Sequence, residues 1–160
     1  MRSMQETDKR KTTLSEVAMS TTCHATEDCE KVKQALLNLV PQEIASSTQL
    51  VVESMKGFYG NVITRFEARF KDEEALKVLD HVAKLLSEND KRYVINSLEI
   101  RYDAKTNKVF IRVDKQSAYL GKPFVSEGDD VIRIVLSFSM LRSVDGIRRV
   151  LEEIFFGFKK

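Results

Sequence analysis

Cys23-His24 and, five residues beyond His24, Cys29 bring two thiols and an imidazole close together. These are ligand types that zinc takes, but zinc wants four ligands in a closed site, or three and a water in a catalytic one. The other histidine, His81, falls in a separate helical segment, and no carboxylate completes a recognised spacing. Cys23 also lies on the inward side of an alternating run. A structural role is therefore expected, with no metal and no cofactor. His24 precedes a helix start, where a hydrogen bond from it would fix the strand-to-helix turn. As a general base it would need a partner to orient it.

Two further segments could do chemistry. Gly57-Phe58-Tyr59-Gly60 has two glycines but lacks the Lys-Ser/Thr of a phosphate-binding loop. It reads as a hairpin turn whose aromatics pack the sheet end, against the alternative of a loop that stacks on a base. Residues 114–122 leave a strand as Asp114-Lys115-Gln116 and run through Tyr119 and Gly121 to Lys122. Lys115 can meet a phosphate, Gln116 can donate and accept, and Tyr119 can stack. Alternatively, Asp114 and Gln116 cap the loop backbone and Tyr119 is a buried anchor. No catalytic residue emerges.

The elements that position these segments follow from periodicity. Val17, Met19, Thr21 and Cys23 alternate with Ala18, Ser20 and Thr22, predicting a strand over 13–23. Thr26 is placed to cap a helix over 27–39, which Pro41 stops. Strands over 49–56 and 61–70 form a hairpin about residues 57–61. Asp72 is placed to cap a helix running to about 88, ended by residues 88–91. After a bridge over 92–97, Leu98, Ile100 and Tyr102 alternate as a strand, and Val109, Ile111 and Val113 as another. A loop over 116–130 precedes a strand over 131–139 and an amphipathic helix over about 143–156.

This order lacks a continuous strand–helix–strand repeat, so a doubly wound parallel sheet is not expected. The expected fold class is α+β: a mainly antiparallel sheet of about five to six strands, with helices packed on one face. Residues 1–11 are expected to be a disordered polar tail, and 12–160 one domain.

One face of an antiparallel sheet is commonly wet. With the apolar positions inward, the outward residues are Arg65, Glu67 and Arg69; Glu99 and Arg101; Phe110, Arg112 and Asp114; Arg133, Val135 and Ser137. Five arginines thus surround one phenylalanine. This set suits phosphates and bases. It equally suits a solvated face whose arginines pair with Glu67, Glu99 and Asp114 across strands.

The totals set bounds. A chain of 160 residues, 42% hydrophobic and 31% charged, is composed like a globular protein and can bury a core. Net charge is only +2, from 26 basic and 24 acidic residues. A polyanion-binding surface must therefore come from the distribution of charge. No apolar run approaches the roughly 18 residues of a membrane span. The first eleven residues lack the apolar core of a signal peptide, so a soluble, cytoplasmic chain with no membrane partner is expected.

Three segments together carry a resemblance: His24-Ala25-Thr26-Glu27-Asp28 with Lys31, Val32, Ala35 and Leu36; Tyr59-Gly60-Asn61 with Ile63; and Asp114-Lys115-Gln116 with Ala118, Tyr119 and Gly121. In this order, over about residues 14–140, they resemble an archaeal family of uncharacterised proteins described as RNA-binding or exosome-associated. That family is similar in fold to the large-subunit ribosomal protein that binds the smallest ribosomal RNA. The resemblance implies a non-catalytic RNA-binding protein, linked to RNA processing or the exosome. Its contacts would be Arg65, Arg69, Arg101, Phe110, Arg112, Lys115, Gln116, Tyr119, Lys122 and Arg133. The alternative is a protein–protein adaptor in a larger assembly, suggested by the near-neutral charge and the apolar last helix, which could also form a homodimer contact. An uncertain hydrolase-like activity is the third reading.

Overall fold

Eleven residues of alternating character make β1 (Leu14–His24) the central strand, hydrogen-bonded on both sides. The computed structural model describes residues 13–157; the expected tail over 1–11 lies outside them. After β1 come α1 (Cys29–Leu37), α2 (Gln42–Ala45), β2 (Val51–Lys56), β3 (Val62–Lys71), α3 (Glu73–Leu85), α4 (Glu88–Asn96) and α5 (Leu98–Arg101). Then follow β4 (Tyr102–Asp103), β5 (Lys108–Asp114), α6 (Lys115–Tyr119), β6 (Val131–Phe138) and α7 (Val144–Phe156). The strands form one six-stranded antiparallel sheet in the order β2-β3-β1-β6-β5-β4. The α+β class, the strand number and the antiparallel pairing agree with the sequence pattern.

The core lies between the sheet and the helices. Val17 and Met19 from β1, Phe66 and Phe70 from β3, Val109 and Ile111 from β5, and Ile134 and Leu136 from β6 point into it. Val78 and Leu79 of α3 and Ile147 and Leu151 of α7 meet them from the helical layer. The apolar stripe of the last helix is therefore used in the core: Ile147, Leu151, Ile154 and Phe155 are all buried.

Several local expectations are corrected. The first helix is capped by Asp28, which accepts the Glu30 N–H at 3.0 Å, and not by Thr26. Asp72 precedes α3 with φ +58° and makes no side-chain cap bond. Residues 88–91 do not end a helix but begin one. Ser87 Oγ accepts the Asp90 N–H at 3.1 Å and starts α4. The bridge and strand expected over 92–102 are helical to Arg101, leaving only Tyr102 and Asp103 to pair with β5. The physical reason is spacing. Val94, Ile95 and Leu98 recur at three- and four-residue intervals and are all buried, which continues a helical stripe. Ile100, taken as inward, is left 85% exposed.

Asn107 holds the turn between β4 and β5. It sits at φ +59°, in a region asparagine tolerates better than most residues, and is buried. Its amide donates to the carbonyls of Phe138 and Leu141 at 2.8 and 2.7 Å and accepts from Tyr102 Oη at 2.7 Å. Replacing Asn107 by alanine orphans these groups and adds backbone strain. We expect a loss of about 2–4 kcal/mol of stability, read by urea unfolding.

Candidate nucleic-acid interface

The three sequence segments singled out above collect at one end of the sheet. His24, the last residue of β1, pairs with Ile63, next to the hairpin turn 57–61. Asp114, the last residue of β5, pairs with Val131, whose carbonyl accepts from Thr21 Oγ1 of β1 at 3.0 Å. Residues 114–121 then pack on α1. Asp114 caps α6 by accepting the Ser117 N–H at 2.8 Å. Asn38 donates to the carbonyls of Ala118 and Tyr119 at 3.0 and 3.1 Å. Gly121 ends the turn at φ +85°, a conformation that favours glycine.

Lys115 joins these parts. Its side chain is 6% exposed. The ammonium donates to the Thr22 carbonyl at 2.7 Å and meets Asp130 Oδ1 at 2.9 Å and Glu27 Oε2 at 3.2 Å. Glu27 also accepts the His24 N–H at 2.9 Å. With its donors engaged internally, Lys115 stands as a fastening between β1, α1 and the entry to β6, in place of the exposed phosphate contact expected.

Cys23 and Cys29 are joined by a disulfide, bridging the end of β1 to the start of α1, with Cα atoms 5.6 Å apart. The structural role expected of Cys23 is thus a covalent one. Among the described residues no cluster of histidine, cysteine or carboxylate could hold a metal. None of their helices is long and apolar enough to cross a membrane.

The outward sheet face divides into two halves. On β1 and β3, Glu67 meets Arg65 at 2.9 Å and Arg69 at 2.8 Å, and Glu16 meets Arg69 at 3.2 Å. Glu53 of β2 lies 3.8 Å from Arg65. This half neutralises itself. The hydrogen bond from Arg65 holds the Glu67 carboxyl below its ordinary value of 4.5; partial burial opposes this, and the charge of Arg69 reinforces it.

On β5 and β6 the arrangement differs. Arg112 and Arg133 stand directly opposite each other. Among the described residues neither has an ion-pair partner. Phe110 and Lys108 precede Arg112 on the same face, with Val135 and Ser137 opposite them. The two expected neutralising carboxylates are elsewhere: Asp114 caps α6, and Glu99 pairs with Arg148 of α7 at 2.7 Å.

Arg101 is not on this face. It is buried on α5, bonded to Glu127 at 2.8 Å and to Ser97 Oγ at 2.7 Å, and stacked 5.1 Å from the Tyr93 ring centroid. There it fastens the 121–130 loop to α4 and α5. Gln116, Tyr119 and Lys122 are exposed near the end of β5. Tyr119 is 40% exposed, so it is not the buried anchor of the alternative reading. Phe58 and Tyr59 do not pack the sheet end either; they project from the hairpin 93% and 90% exposed, edge to face.

A cavity of about 390 Å³ adjoins the Asp114–Gln116 turn, between α1 and α6. A nearby cavity is what an enzymatic reading requires, but Asp114 and Lys115 are both held in structural bonds.

A family model described as RNA binding matches residues 16–138. The chain belongs to this RNA-binding family. It is 38% identical over 143 residues to a protein named RNA-binding protein PAB1135 from Pyrococcus abyssi, covering 85% of this chain and 92% of that one. It is 33% identical over 142 residues to the uncharacterised protein MJ0213 of Methanocaldococcus jannaschii, covering 87% and 94%. Protein AF2318 of Archaeoglobus fulgidus has a similar crystal structure, with TM-score 0.75 and 30% identity over 86% of this chain and 99% of that one. The family match spans all three segments that carried the resemblance.

Glu16 was missed as a partner of Arg69. Alternation puts Glu16 on the outward side of β1 with Ala18 and Ser20, but only the pairing of β1 with β3, which sets Ala18 opposite Arg69 and Glu16 diagonal to it, brings the two together.

Two outcomes are expected. Replacing Lys115 by alanine leaves Glu27 and the Thr22 carbonyl without their partner and should cost about 3 kcal/mol in denaturant unfolding. Because the Glu67 carboxyl is held low, its pairing stabilises the fold above its ordinary value and is lost as pH falls through the lowered one. The stability advantage of wild type over Glu67→Gln should therefore be full near neutral pH and shrink in acid below about 4, followed by thermal melts.

Proposed function

We propose that this protein binds RNA without catalysing a reaction, through the β5–β6 half of its open sheet face. The observation that carries the reading is the Arg112–Arg133 pair. Like charges placed directly opposite across strands destabilise a sheet. Here they stand with no carboxylate partner among the described residues, while the neighbouring half of the same face is neutralised by Glu67 and Glu16. A phosphate backbone lying between the two guanidinium groups removes that repulsion and satisfies their forked donors. Lys108 extends the cationic strip along β5, and Phe110 offers a ring beside it. Arg65 and Arg69 stay with Glu67 and contribute less.

Family membership supports the RNA assignment, and so does the name of the relative from Pyrococcus abyssi. The net charge of +2 fits a local strip and not a uniformly basic surface.

A second reading has its own observation. Val51, Val52 and Met55 on the edge strand β2, with Phe58 and Tyr59 at its tip, form an exposed apolar hairpin. Such a hairpin suits a partner protein in an RNA-processing assembly such as the exosome. The terminal helix does not serve this reading, since its apolar face is buried.

The double variant Arg112→Ala/Arg133→Ala tests the leading reading. It should weaken binding of a labelled RNA and lower the slope of log affinity against log salt by about 2, one for each lost phosphate contact. Unchanged affinity and slope in the folded variant would refute it. Partners recovered from the native cell that survive nuclease, and are lost on Phe58→Ala/Tyr59→Ala, would favour the adaptor.

A further inference from the structure

We propose that the cavity between α1 and α6 receives one unpaired nucleobase of the bound RNA, with Tyr119 as its aromatic wall and Gln116 reading the base edge. This deepens the RNA reading and rests on it. The cavity is open to solvent on one side and offers about 390 Å³. That suits a single ring system.

Charge selects the kind of group. Two carboxylates, Glu27 and Asp28, and two ammonium groups, Lys31 and Lys115, line the cavity. Glu27 is paired with Lys115, and Asp28 caps α1. The charges balance, so the cavity does not attract a phosphate. It suits the uncharged part of a nucleotide, while the strip at Arg112 and Arg133 suits the charged part.

Polarity narrows the choice further. Val32, Ala35 and Leu120 give apolar walls. Among the described residues the Gln116 side-chain amide has no hydrogen-bond partner, although it faces this cavity with one acceptor and two donors. An apolar side chain seated there would bury that amide unpaired, at a cost. A base presents complementary donors and acceptors on its edge and a flat surface to Tyr119. Lys31 holds its ammonium over the Tyr119 ring, 5.8 Å from the centroid, a cation–π contact that steadies the ring beside the cavity.

The base must be unpaired, because a cavity between two helices cannot admit a duplex. The location agrees with this. The cavity lies just past the end of β5, two residues beyond Asp114 and four beyond Arg112 at Gln116, so one strand can run from the arginine pair round the sheet end.

The test uses the intact chain and two short blunt-ended RNA duplexes, one fully paired and one with a single bulged 2-aminopurine. Wild type should quench the bulged 2-aminopurine on binding. Tyr119→Leu, which keeps an apolar side chain, should weaken the bulged RNA about 10-fold more than the paired one and abolish the quench. Gln116→Ala should weaken it a few-fold, again selectively. Arg112→Ala/Arg133→Ala should weaken both RNAs. If Tyr119→Leu and Gln116→Ala bind the bulged RNA like wild type, with the quench intact, the cavity is not a base site, even while the arginine variant loses both RNAs and the interface stands. If wild type binds neither RNA, the interface reading fails and this inference with it. If free 2-aminopurine riboside is quenched at the same concentration as the RNA, assignment of the base to an RNA strand is overturned.

Discussion

The end of the sheet depends on one buried ammonium. Lys115 connects the Thr22 carbonyl on β1, Glu27 before α1 and Asp130 before β6. Burying a lone charge is costly, so Lys115 persists inside only because oxygen atoms from three separate stretches converge on it. That convergence sets the position of α6 against α1, and with it Gln116 and Tyr119. The Cys23–Cys29 disulfide and the two bonds from Asn38 reinforce the same corner. The most conspicuous basic residue in the 114–122 segment thus builds the site, with its ammonium already engaged by protein oxygens.

A similar economy of charge governs the open face. Of the four arginines on it, two are held by acidic neighbours and two are not. In the interior of a sheet face, opposite charges on adjacent strands are an inexpensive way to keep the surface solvated. Arg112 facing Arg133 departs from that rule at a position where the neighbouring strand follows it. A near-neutral chain can hold a polyanion-directed surface when its carboxylates are withdrawn to other duties. Asp114 is withdrawn to a helix cap, Glu99 to Arg148 and Glu127 to Arg101.

Much of the fold was legible in the sequence. Long two-residue alternations fixed β1, β3, β5 and β6, and a four-turn apolar stripe marked the last helix, because burial on one side imposes these periods directly. The stretch 88–101 was not legible. Leu98, Ile100 and Tyr102 alone satisfy a strand period, and only when Val94 and Ile95 are read with Leu98 does the helical stripe emerge. The error moved Arg101 from the core to the sheet face. Residue type singled out segments that the fold brings together at one end of the sheet, but not the partner of each charge. Glu16, Glu27, Asp130 and Glu127 reach their cations across 15 to 88 positions of chain, through strand order, register and loop closure that no local pattern encodes.

The central claim is that RNA lies on the β5–β6 half of the open face and turns round the sheet end. An amide chemical-shift map of the isotope-labelled chain, titrated with an RNA containing one bulged base, tests it most directly. The account predicts shifts concentrated at 108–122 and 131–137, with the backs of α3 and α7 unmoved. Shifts confined to 73–101 and 144–156, with Arg112 and Arg133 unaffected, would contradict it.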